Sequence, residues 1–290
     1  MPKNRVRGFF HQGRIMSSIN TISPERLARL IGVAHCPTLI DVRVDDEWRA
    51  DPRFIPGAVR RAADSVGQWG GAFAERAVVV IDQEGGALGA GVAAWLRCAR
   101  ASSADLLTGG HLAWAQAKRP LVPGTKLPPR DARGRTVWVT RSRPKVDRIA
   151  CPWLIRRFVD PNAVFLFVSA ADVQGVAERF SATPFDIDGA FWSHRGERCT
   201  FDTMLDEWDL DIEPLRKLAV IVRGADTARL DLAPEAAGLL AASLGLSRMY
   251  TDDLEQLEGG MRLYDAFYRW QRDATDEPHS WPATKAGKAP

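Results

Sequence analysis

Between Pro120 and Arg135 the chain reads PLVPGTKLPPRDARGR, a run of proline, glycine and charge with almost nothing to bury. Such a run interrupts both helix and strand, so the chain is predicted to fold as two units joined here. At 290 residues it is long enough for each half to have a core of its own. The expected divisions are an arm over 1–18, a first domain over 19–123, a linker over 124–136, a second domain over 137–273 and a tail over 274–290. Arm and tail lack helical or strand periodicity and are predicted to be disordered, with Met16 an alternative start.

Charge excludes some partners. Lys and Arg number 39 against 36 Asp and Glu, so no global field draws the chain onto nucleic acid or a membrane, and any preference for anions must be local. The four cysteines, Cys36, Cys98, Cys151 and Cys199, form no CxxC pair, which fits a reduced, cytoplasmic protein. No run approaches a membrane span, and the basic N-terminus lacks the apolar stretch of a secretory signal.

In the first half apolar strands alternate with helices: TLIDVR, then AVVVID, a helix near Gly89 to Arg100, ADLLTGG and a short helix HLAWAQA. That order predicts an α/β domain with a mainly parallel sheet. Asp41-Val42-Arg43 followed by Glu47, then Ile55-Pro56-Gly57-Ala58-Val59, then Gly109-Gly110-His111-Leu112-Ala113-Trp114, resemble the ordered landmarks of a rhodanese domain. The resemblance implies a sulfur-carrying cysteine after the strand Val78 to Ile81, in a cradle of backbone amides. Here that degenerate nucleophile position is Asp82. A carboxylate cannot accept sulfane sulfur, so the domain is expected to be catalytically silent. Cys98, in AWLRCAR, is expected to pack between helix and sheet.

The second half is expected to be mixed α/β and mostly helical. It opens with the strand VWVTR, a basic loop, and a helix from about Asp147 to Phe158. Arg141, Arg143, Lys145 and Arg148, with Arg156 further along the helix, supply charge-assisted donors beside the amides of a helix N-terminus, the ingredients of an anion site. Asp147 and Cys151 share one helix face. If that face borders the basic loop, the cysteine is expected to have a lowered pKa.

Further on, PFDIDGAFWSHRGERCTFDTML gathers Asp186, Asp188, His194, Cys199 and Asp202, ligand types of zinc or iron without zinc-finger spacing. His194, Cys199, Asp202 and Asp226 are therefore metal candidates, although no cofactor is required. Cys151, His194 and Cys199 are the catalytic candidates. His194 and Cys199 are expected to face each other across a turn.

Over nearly its whole length this half resembles the C-terminal domain of the chromate-resistance ChrB family. The residues that carry the resemblance are Lys145-x-Asp147-Arg148-x-x-Cys151-Pro152-Trp153, Pro184-Phe185-Asp186, His194-x-Gly196-x-x-Cys199-Thr200-Phe201-Asp202 and Pro234 to Leu239. It implies a regulatory or accessory role beside a chromate efflux transporter. Many members of that family read His-Asp-x-Asp where this chain has Arg223-Gly224-Ala225-Asp226, a change that weakens metal binding and strengthens an anion reading. The first half does not resemble the DNA-binding portion of regulatory members, so direct DNA binding is not expected.

The expected function is thus a cytoplasmic accessory or sensor protein that binds a tetrahedral dianion such as chromate or sulfate. The alternative is a thiol- or metal-dependent enzyme acting on an oxyanion or sulfur compound. In the last helix Leu263, Phe267 and Trp270 share one side, suited to core or homodimer packing.

Overall fold

A computed structural model describes residues 20–277. The predicted arm over 1–18 lies outside the described residues, as does the tail beyond Glu277. The first half is built on a five-stranded sheet in the order Thr21–Ile22, Ser103–Leu107, Ala77–Ile81, Thr38–Asp41, Ala58–Arg60. All its pairings are parallel, as the strand-helix alternation requires. Helices cover it, chiefly Ala87–Cys98, so Val78, Val79, Val80 and Ile81 are all buried. This is a rhodanese-like fold, a parallel sheet flanked by helices.

The Asp-Val-Arg motif has a structural task at the end of its strand. Arg43 is 2% exposed and forks onto Asp41 at 2.7 Å. Its Nη1 donates to the Asp51 carbonyl, its Nη2 donates also to that of Arg53, and Trp48 covers the guanidinium at 5.0 Å. A buried charge so fully satisfied fixes the loop it crosses.

The second half carries a three-stranded parallel sheet, Thr183–Pro184, Val137–Arg141, Val164–Val168, with helices Asp147–Leu154, Thr200–Glu207, Glu213–Asp226, Ala236–Met249 and Asp253–Asp273. Its first helix widens into a π-turn over Ile155–Val159 and ends at Asp160, before Pro161. The long last helix buries Leu257, Met261, Tyr264 and Tyr268. Leu263, Phe267 and Trp270 stand at the edge of that seam, partly buried against the same core.

One apolar core runs through both halves, from Ile22, Leu27 and Trp114 to Trp153, Phe158 and Tyr268. Gly32, at φ +80°, lies where any β-carbon would collide with the Phe158 and Tyr268 rings. The segment 124–136 is packed against both halves. Gly124 N–H donates to Pro52 O at 2.8 Å, and Thr136 donates from its amide and hydroxyl to the buried Asp160 at 2.7 and 2.8 Å. Among the described residues no helix is long and apolar enough to cross a membrane.

Cys98 departs from its expected place. It lies at the end of its helix and is exposed, because the buried stripe there consists of Gly89, Val92, Ala93 and Leu96.

Candidate metal centre

The strand Val137–Arg141 delivers the chain into the loop 142–146, and this loop is strained. Arg143 has φ +57° and Val146 φ +32°, the latter a conformation a β-branched residue rarely adopts. The last helix holds it there. Tyr264 donates its hydroxyl to Val146 O at 3.0 Å, and the Gln256 amide donates to Pro144 O. The strained turn places Asp147 at the start of its helix with 0% exposure.

Asp147 faces three other elements. Its Oδ2 accepts the Thr200 amide at 2.6 Å, at the N-terminus of a second helix, where a carboxylate suits the unpaired N–H groups. The same oxygen is 3.6 Å from His194 Nε2. That nitrogen also stands 3.4 Å from Asp186 Oδ1 and 3.2 Å from Asp226 Oδ2. One imidazole nitrogen thus confronts three carboxylates, more acceptors than a single N–H can serve. Ligand atoms of Asp147, Asp186 and His194 all lie within 4.8 Å of one another. Asp147 Oδ1 is buried and has no hydrogen-bond partner.

The electrostatics follow from that crowding. Burial, then the charges of Asp226 and Asp186, push the Asp147 carboxyl well above the usual range. Hydrogen bonding to Asp186 and then Asp226 lifts His194 to about 10. Three carboxylates and an imidazole are a donor set that suits a divalent cation of intermediate hardness, such as zinc, manganese or iron(II). The buried, unpartnered Asp147 oxygen is the atom such an ion would satisfy.

The basic residues do not converge on one cradle. Arg141 and Arg148 approach this centre, both toward Asp186 Oδ2, at 3.7 and 3.2 Å. Arg143 turns away to the end of helix Ala236–Met249, donating to the Ser247 and Tyr250 carbonyls. Arg156 pairs with Glu258 at 2.5 Å. The Lys145 side chain is half-buried, and its backbone carbonyl accepts the Arg148 amide at 2.9 Å. The five-residue anion site expected from sequence therefore reduces to Arg141 and Arg148 beside the acids, because helix positions close in sequence diverge once each finds its own carboxylate or carbonyl.

The thiols are corrected as well. Cys151 and Cys199 are both 0% exposed. Burial, followed by the charge of Asp147, pushes each thiol up rather than down, so the thiolate expected at Cys151 is disfavoured. Cys199 does not face His194. Its thiol donates to Asp202 Oδ2 at 3.4 Å, and its amide caps the helix start on the same oxygen at 3.1 Å. Asp202 also holds Arg223 at 3.1 Å, which removes both from the His194 cluster and leaves Arg223 engaged rather than open to an anion.

Of the metal candidates from sequence, His194 and Asp226 meet, whereas Cys199 and Asp202 belong to the neighbouring pair. In the sequence Asp147 stands out only for sharing a helix face with Cys151, and Asp186 as one acid among several. The signal for both lay in the Lys145-x-Asp147-Arg148 and Pro184-Phe185-Asp186 motifs.

The Asp82 loop is equally explicit. The carboxylate is 3% exposed and fills its own amide cradle, with Oδ1 2.5 Å from Gly85 N and Oδ2 2.9 Å from both Gly86 N and Gly89 N. The fixed anion takes the donors that an anionic guest would need.

Residues 138–271 match the family described as "ChrB, C-terminal domain". The second half carries a ChrB C-terminal domain. A curated relative, Protein ChrB of Cupriavidus metallidurans, is 36% identical over 141 residues, which are 48% of this chain and 42% of that protein. The chain thus spans less than half the length of the ChrB protein it matches. Two solved structures are similar to about a third of this chain. A rhodanese-related protein from Thermoplasma volcanium is 18% identical over 36% of this chain and 97% of its own, with a TM-score of 0.31. A rhodanese-like domain protein from Staphylococcus aureus is 22% identical over 33% of this chain and 91% of its own, with a TM-score of 0.30. All four residues of the candidate centre fall inside the ChrB-type region.

Proposed function

We propose that this chain acts in chromate resistance, and that its ChrB-type half holds a divalent cation on Asp147, Asp186, His194 and Asp226. The likeness to Protein ChrB supports the resistance role. The observation that carries the metal reading is the wholly buried Asp147, whose Oδ1 lacks any partner while its Oδ2 shares a nitrogen with two more acids. A cation would supply positive charge where three carboxylates otherwise repel one another. Arg141 and Arg148 at the edge of the centre then offer guanidinium donors to a tetrahedral dianion such as chromate or sulfate, which the acids alone would repel.

The test is calorimetric titration of the whole chain with chromate and with sulfate, with and without bound divalent cation, after elemental analysis of the purified protein. Anion binding that appears only with the cation and weakens in Arg148→Ala supports the reading. Protein that takes up no cation, or binds chromate equally well without one, contradicts it.

A further inference from the structure

A cavity with different chemistry lies at the far end of the first sheet. It measures about 440 Å³ and opens between the halves, beside the starts of strands Thr38–Asp41, Ala58–Arg60 and Ala77–Ile81. Parallel strands put all their starts at one end, so the cavity is at the opposite end from Asp82. Six arginines line it: Arg61 and Arg76 from the first half, Arg133 and Arg135 from the connecting segment, and Arg156 and Arg157 from the π-turn. No Asp or Glu is among the lining residues.

Arg135, Arg156 and Arg157 are each anchored by an acid behind the wall, Asp131, Glu258 and Asp265, at 2.8, 2.5 and 2.8 Å. Arg61, Arg76 and Arg133 have no carboxylate partner among the described residues. Arg61 donates only to the Arg60 carbonyl at 3.1 Å, and Arg76 lies over the Phe73 ring at 5.7 Å. Three positive charges therefore remain uncompensated in one concavity, in a chain whose whole formal charge is +3.

The walls are held in place. Gly57 N–H donates to Phe158 O at 2.7 Å across the two halves, and a β-carbon at Gly57 would come within 3.2 Å of Arg157 O. Arg157 itself forks onto Asp265 through two nitrogens, each at 2.8 Å. The anchored Arg157 therefore loses little entropy on binding, whereas the exposed Arg76 and Arg133 are ordered by the guest itself. Between the guanidinium groups the wall is apolar, formed by Val33, Pro37 and Val59. A cavity this size exceeds what a lone tetrahedral ion fills and falls in the range of small-molecule sites.

We propose that this cavity binds a phosphorylated small molecule of nucleotide size, its phosphates held by Arg61, Arg76 and Arg133 and its less polar part against the Val33 and Val59 wall. Guanidinium pairs match phosphate oxygens two at a time, which favours a di- or triphosphate over a single charge.

The test is calorimetry on the full chain in chelator, at about 0.15 M salt where loose surface attraction is screened. The probes are ATP, pyrophosphate and inorganic phosphate, and the variants are Arg61→Ala/Arg133→Ala and Asp147→Asn. Saturable one-to-one binding of ATP, tighter than pyrophosphate and tighter again than phosphate, is expected. The arginine double variant should weaken it by about tenfold or more at an unchanged melting temperature, whereas Asp147→Asn should leave it intact. Absence of saturable ATP binding, equal affinity for ATP and pyrophosphate, or indifference to the double variant would overturn the proposal.

Discussion

The Oδ2 of Asp147 stands 3.6 Å from the Nε2 of His194, and the other oxygen of that carboxylate is buried without a partner. Without a cation Asp147 is a destabilising element, since its burial, and then the nearby Asp226 and Asp186 charges, oppose its ionisation. Asp147→Asn is therefore expected to raise the melting temperature of metal-free protein while removing the stabilisation that divalent cations give. Paired thermal melts in chelator and in added zinc or manganese check both signs. A variant that melts lower in chelator would argue that the carboxylate serves only as a cap for Thr200.

Protons and cations compete for the same atoms. His194, ordinarily near 6.5, is lifted to about 10 by its acidic neighbours, so at neutral pH an incoming cation has to displace its proton. Cation affinity should rise between about pH 6 and about pH 9, by about tenfold per unit for one displaced proton. Titration in buffers of different ionisation enthalpy would count the released protons, and a flat pH profile would remove His194 from the ligand set.

Arg148 and Arg156, close in sequence, face different partners, Asp186 and Glu258. Arg148→Ala is expected to weaken chromate binding to the cation-loaded protein by about tenfold, whereas Arg156→Ala is expected to leave it unchanged. Equal losses in the two variants would restore the single cradle.

The Asp82 carboxylate occupies three amide donors of its own loop. Asp82→Ala should cost about 1–3 kcal/mol, because buried N–H groups are left unpaired. Urea unfolding measures it. A neutral result would mean that water or a rearranged loop satisfies those amides.

The thiols should differ in reach rather than in chemistry. Cys98 is exposed, Cys36 is half-buried with its thiol pushed up to about 12 by burial, and Cys151 and Cys199 are enclosed. Near-neutral alkylation of native protein is expected to label Cys98 first, Cys36 slowly, and the other two only on unfolding. Fast labelling of Cys151 would revive a thiol mechanism.

The fold was legible where its cause is local. Strands such as Val78 to Ile81 are continuous apolar runs, the Asp-Val-Arg motif closes its strand with a buried ion pair, and Gly109 and Gly110 take positive φ that few other residues allow. The centre was less legible because Asp147 comes from one helix, Asp186 and His194 from the loop 185–199 and Asp226 from the end of another helix, and no fixed spacing announces them. The arginines misled for the same reason. Arg143 and Arg156 lie beside Arg148 in sequence, yet their partners Ser247, Tyr250 and Glu258 arrive from the last two helices, over separations the sequence does not display. The cavity arginines were hidden in the same way, two of them in a segment read as a simple spacer.

Calorimetric titration of chelator-stripped full-length chain with manganese or zinc, alongside Asp147→Asn and His194→Gln, tests the centre most directly. One saturable cation site in the native chain, lost in both variants while each remains folded by circular dichroism, is the predicted result. No cation uptake by the native chain, or uptake that both variants retain, would contradict it.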